Sequence, residues 1–246
     1  MRLGAPADLC DIRQFPAGRR VCLGMLRRLL SASLLAGLLV GCAPSAQISG
    51  QATASVAVHR VNFYPDQNGL RWLYLKRGSP LSAPAYQLSS EGPTIFNGLE
   101  VRVFRLYGNG ADRRWYRQIS GRGVYLEGFS LPGVVVELSP PWEEDPPVAD
   151  WKVGYTWSGS THLTLISSGK TVQTLIVDYR YTVLEKRTVS VAGKSYRVWV
   201  VDREISSSNT AVFPPTSKEL WFAPYVGNVK SADGLLLVAK NFQVRP

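Results

Sequence analysis

From Leu175 to Val183 the chain alternates strictly. Leu175, Val177, Tyr179, Tyr181 and Val183 fall on one face, with Thr174, Asp178, Arg180 and Thr182 mostly opposite. A repeat of two residues cannot lie along one side of a helix, so this stretch is a half-buried strand. The next run alternates again: Tyr196, Val198 and Val200 point one way, and Arg197, Trp199 and Arg203 the other. Between the two runs, Ala192-Gly193-Lys194 reads as a tight turn. Gly108-Asn109-Gly110 separates two further strand-like runs, and glycine and asparagine accept the positive φ of a hairpin turn. Ser231-Ala232-Asp233-Gly234 is a turn before a last strand, "GLLLVAKNFQV". With 22 glycines, 16 prolines and no convincing helical period after residue 56, the body of the chain is all-β.

The stretch "SPPWEEDPPVADW" interrupts this pattern near the middle. Pro140, Pro141, Pro146 and Pro147 lack ladder donors, so a strand is expected to stop here. A short echo flanks the break, since Gly69 precedes Trp72 and Gly154 precedes Trp157 by three residues. Residues 56–246 are therefore read as one β-rich domain. Either two similar halves meet near 140–150 or one continuous sheet runs through.

The N-terminal segment has a different character. "LLSASLLAGLLVGC" follows Arg27 and Arg28, and its apolar part is too short for the roughly 20 residues that cross a bilayer as a helix. A positive start, a short apolar core and small residues at the end describe a secretory signal peptide over residues 1–41. Leu39-Val40-Gly41-Cys42 resembles a bacterial lipobox. That resemblance implies a diacylglycerol on the Cys42 thiol, and cleavage that frees an amino group for N-acylation. Ordinary cleavage after Ala43 would place Pro44 behind the scissile bond, which disfavours it. Residues 1–24 carry no apolar run, so translation is expected to start at Met25 or Val21. Residues 42–55 are small and polar and read as a lipidated flexible tether. Two or three acyl chains hold a domain stably on a membrane. The expected location is the cell membrane or outer membrane, facing the periplasm or exterior. Ala43, in place of a retention aspartate, favours the outer membrane.

The formal charge of +10 overstates what the body carries. Six arginines and two aspartates lie in residues 1–41, leaving 22 basic and 16 acidic residues from Cys42 onward. Arg113, Arg114, Arg117 and Arg122 read as a solvated strand face, and no nucleic-acid partner is expected. The three cysteines stand at 10, 22 and 42, so the body has no thiolate zinc site and no disulfide framework.

An enzyme is not expected. His59 and His162 are the two histidines; His162 has Ser158, Ser160 and Ser167 nearby but no glycine-framed nucleophile turn. Glu143, Glu144, Asp145 and Asp150 read as a solvated acidic loop, with spacing unlike a calcium loop. No catalytic residue, no metal and no cofactor beyond the Cys42 lipid are assigned. Of seven tryptophans most suit a core. Trp142 and Trp151 in the Pro-rich stretch, and Trp199 on the more polar face, are the candidates for a glycan- or lipid-binding surface.

"FYPDQNGLRWLY", "GVYLEG", "LSPPW", "WKVGYTW", "VSVAGKSYRVWVV" and "ELWFAPYVGNVK" occur in an order that resembles bacterial envelope lipoproteins of a domain-of-unknown-function, TapB-like family. The closing motif departs from that pattern at Tyr225 and Asn228. The resemblance implies a curved antiparallel sheet, a half-barrel or a partly closed β-barrel, and no activity. The expected role is a membrane-anchored, non-catalytic β-domain that binds or supports an envelope protein, glycan or lipid. The alternative is a carrier holding a lipid or other amphiphile in a concave pocket.

Overall fold

The computed structural model describes residues 56–58, 63–211 and 213–244. The signal segment, the lipobox with Cys42, the tether and His59 lie outside the described residues. Fourteen strands follow in order: β1 (Val56–Val58), β2 (Arg71–Lys76), β3 (Tyr86–Phe96), β4 (Leu99–Gly108), β5 (Ala111–Ser120), β6 (Gly123–Leu131) and β7 (Val134–Asp145). A 3₁₀ turn at Val148–Asp150 then precedes β8 (Thr156–Ser167), β9 (Lys170–Val191), β10 (Lys194–Ser207), β11 (Thr216–Ala223), β12 (Gly227–Lys230), β13 (Leu235–Lys240) and β14 (Phe242–Val244).

Strands β2 to β13 form an up-and-down antiparallel meander, and β13 pairs back onto β2 to close it into a twelve-strand barrel. The sheet is thus fully closed rather than partly so. Closure removes both sheet edges. The only other pairing described is parallel, between β1 and β14.

The strands follow the alternation of the sequence. Leu175, Val177, Tyr179, Tyr181 and Val183 are all buried, while Thr174, Asp178 and Arg180 between them are exposed. Asn109-Gly110 and Ala192-Gly193 each place two consecutive residues at positive φ, which is the turn whose twist matches a two-residue hairpin. On β8 and β9 the outward face carries Ser158, Ser160, His162, Asp178 and Arg180. Such a face is built for water, unlike the apolar band of a barrel that spans a membrane.

The prolines behave differently from expectation. Strand β7 does not stop at Pro140; it runs through Pro140-Pro141 to Asp145. The ladders yield instead. The pairing of β7 with β8 ends at Ser139, and its register with β6 jumps from Glu137 to Trp142. Residues without donors sit in the gap where no ladder partner asks for one, and Thr161 Oγ1 donates to the Pro140 carbonyl at 2.6 Å.

Twelve strands enclose more space than their own side chains fill. In a meander the connections alternate between the two ends. One end holds the segment before β2, the 146–155 connection and the turn after β11, and it is packed with rings. Trp151 lies against Phe222, Trp157 and Trp199 at centroid distances of 5.2, 5.3 and 6.2 Å. Tyr64 meets the edge of Phe104 at 5.5 Å, and Trp72 meets Phe242 at 5.1 Å. These rings are a plug. At the other end, marked by the 109–110, 132–133 and 231–234 turns, the lumen is not filled.

Candidate functional site

Above the plug the barrel holds a cavity of about 160 Å³. Its floor carries Tyr64, Arg117, Glu144 and Asp145; its wall includes Trp142, Tyr181, Arg203 and Leu220; its mouth includes Arg113 and Asp233.

Arg117 reaches this floor because β5 alternates. Arg113, Trp115 and Arg117 line the cavity, and Arg114 lies on the other face, where its Nε pairs with Glu91 at 3.3 Å. Arg117 is therefore not part of a solvated strand face: it is 7% exposed. Its Nη2 donates to Glu144 Oε1 at 3.1 Å and its Nε donates to Glu144 Oε2, a two-pronged ion pair. The guanidinium also stacks over Phe104, Trp115 and Tyr64, with its carbon 5.2, 5.4 and 5.6 Å from the ring centroids. The carboxylate of Glu144 and the tyrosine beside it hold the Arg117 charge firmly, against the desolvation that opposes it.

Glu144 and Asp145 were expected in a solvated acidic loop. Both line the lumen instead, although neighbours on a strand normally face opposite ways. A bulge explains it. Val124 pairs with Asp145 and Tyr125 with Glu143, which leaves Glu144 as the extra residue, turned inward. The approach of β6 that permits this is close. A side chain on Gly123 would stand 2.7 Å from the Asp145 carbonyl oxygen, and its φ of +132° suits glycine alone. The Asp145 carboxyl makes no hydrogen bond among the described residues. Burial, and next Glu144, push its carboxyl up to about 8, while Arg117 pulls the other way. At neutral pH it is mostly protonated. Tyr64 on the same floor is pushed up to about 12 by burial, moderated by Arg117.

On the opposite wall, Tyr181 and Arg203 are cross-strand partners on β9 and β10. Trp142 Nε1 donates to the Tyr181 hydroxyl at 3.0 Å. Burial raises Tyr181 above the ordinary tyrosine range, and the nearby Arg203 charge offsets part of this. Arg203 Nε is buried and has no hydrogen-bond partner. At the mouth, Arg113 Nη1 approaches Asp233 Oδ2 at 3.5 Å. This pair joins β5 to the β12–β13 turn, across part of the opening.

The three tryptophans proposed as a ligand surface are all buried: Trp142 at 7%, Trp151 at 5% and Trp199 at 9% exposure. They make no exposed platform. Trp151 and Trp199 belong to the plug; Trp199 keeps its period on β10 and shares a face with Arg203 and Ile205, but that face looks into the barrel. Trp142 alone of the three lines the cavity. His162 is exposed on the outer face of β8, opposite Ile176 and Ser139 and away from the lumen. The signal for this cavity was the Arg113-Trp115-Arg117 alternation, which puts cations on the same face as a ring.

No protein-family model matches the chain, and no curated protein matches it in sequence. Among solved structures it is similar to a protein from Bacteroides fragilis described as exported and as having a YmcC-like fold. The TM-score is 0.43 and the identity 12%, over 73% of this chain and 99% of that one. It is also similar to a protein from Parabacteroides distasonis described as a lipoprotein, with TM-score 0.39 and 9% identity over 69% and 89% of the two chains. Likeness at this level carries no function to the present chain.

Proposed function

We propose that the chain is a bacterial envelope lipoprotein, anchored through lipid on Cys42, whose barrel is a non-catalytic binding module that takes a small ligand into its lumen. One observation carries this reading: the barrel is plugged by rings at one end and keeps a charged, partly unpaired cavity at the other. Buried polar groups without partners cost stability, so a fold that keeps them has a use for them. The cavity is smaller than the 300–1,000 Å³ or so of a drug-sized pocket, and its floor is ionic. Both features favour a small polar ligand over the acyl chain of a carried lipid.

Two measurements test the reading. Labelled palmitate should enter the chain in its native envelope and be lost in Cys42→Ser, with the protein moving to the soluble fraction. Native mass spectrometry of the chain purified from its own membranes should find a small-molecule adduct that Leu220→Trp, which fills the lumen, abolishes. A wild-type barrel without any adduct, binding no small solute in a screen, would refute the lumen as a site.

A further inference from the structure

Two of the three arginines that line the cavity, Arg117 and Arg203, stand in opposite circumstances. Arg117 is neutralised by Glu144 and enclosed by three rings. The Arg203 side chain has no ion pair and no hydrogen bond among the described residues, and its Nε is buried. Its cross-strand partner Tyr181 is in a related position. The Tyr181 hydroxyl accepts from Trp142, but its own proton has no acceptor among the described residues. Two unused donors, one of them cationic, therefore stand together on one cavity wall. Beside them lie Trp142, Ile205 and Leu220, which are apolar.

We propose that Arg203 and Tyr181 form a receptor for the carboxylate of a small organic acid, whose apolar part rests against Trp142, Ile205 and Leu220. The inference rests on the lumen reading above and adds the chemical class of the ligand. A planar guanidinium fork matches a carboxylate in geometry and charge. A doubly charged phosphate group would ask for more donors than this wall supplies. Competition from within is weak, since the Glu144 charge is committed to Arg117 and Asp145 is mostly protonated at neutral pH. The cavity volume sets the scale: it is that of about five water molecules, hence an acid of roughly benzoate size.

The test uses the full chain in phospholipid nanodiscs and follows tryptophan fluorescence while sodium benzoate or benzyl alcohol is added. Benzoate should bind about tenfold more tightly than benzyl alcohol. Arg203→Met should remove that advantage and leave benzyl alcohol unchanged. Tyr181→Phe should weaken benzoate about threefold, and Leu220→Trp should abolish both ligands. Thermal melts establish that each variant is folded. Should Arg203→Met fail to fold, Arg203→Lys replaces it and should lose part of the benzoate preference. Equal affinity for the two probes, or benzoate binding indifferent to Arg203, overturns the carboxylate receptor and leaves the lumen reading standing. Benzoate binding that survives Leu220→Trp places the site elsewhere and overturns both. Absence of benzoate binding in the wild type overturns the receptor.

Discussion

The two ends of this barrel solve opposite problems. At the plugged end large rings are buried and their polar atoms are served. Trp72 Nε1 donates to the Val226 carbonyl at 2.7 Å and Trp151 Nε1 to the Pro146 carbonyl at 3.1 Å, with Trp157 Nε1 the exception. At the cavity end the chain buries the Arg117–Glu144 ion pair and leaves Arg203 Nε without an acceptor. A plug that only stabilises can be wholly self-satisfied. A lumen that binds must keep valences open, and those open valences lower the stability of the empty state. Under the proposed reading, the plugged half of the barrel is architecture and the open half is site.

Substitutions sharpen that contrast, beginning with the largest effect. Arg117→Met should lower stability by about 4 kcal/mol, because it leaves Glu144 charged in a closed space and strips a cation from three rings. Denaturant unfolding measures it, and a loss below about 1 kcal/mol would mean that the ion pair is well hydrated. Trp151→Ala should cost about 3 kcal/mol by emptying the plug, while leaving benzoate affinity within twofold. A large loss of affinity there would show that plug and lumen are one unit.

The smallest effect is also the most specific. The folded-state carboxyl of Asp145 is raised from 3.8 to about 8, so its contribution to stability is fully present below pH 4. It is lost as pH rises from about 4 to about 8, the window in which the unfolded chain gives up a proton that the fold retains. Asp145→Asn should therefore match the wild type near pH 4 and exceed it by about 2 kcal/mol near pH 5.5. Unfolding curves at several pH values check this, and a gap of equal size at pH 4 would contradict the buried acid.

Local pattern made much of this legible. The alternation of Leu175 to Val183 gave the strand and its buried face, and Asn109-Gly110 and Ala192-Gly193 gave hairpins of the right kind. Closure was beyond local pattern, because Leu236 pairs with Leu75 from the far end of the chain and nothing in either neighbourhood specifies the partner. The site was misread for a related reason. Period two assigns a side to each residue only while register holds, and the bulge at Glu144 breaks it, so that Glu144 and Asp145 both line the lumen. Trp199 kept its period, on the same face of β10 as Arg203 and Ile205, but that face looks inward and not to water. Arg117 failed likewise. Its alternation was intact, but an arginine in a strand suggests water until the twelve-strand width shows that a barrel has room for it.

The β1–β14 pairing has one more consequence. Phe242 packs on Trp72, and Asn241 donates to the Gly69 carbonyl, so the strand that receives β1 belongs to the plugged end. Under the proposed anchorage, fourteen residues from Cys42 lead to β1, a chain that reaches at most about 50 Å. The barrel is then moored by its sealed base, on a tether long enough to let its opening face the aqueous compartment. A molecule would enter from solution and not by lateral transfer out of the bilayer. Occupancy would follow solute concentration around the envelope rather than the composition of the membrane to which the protein is tied.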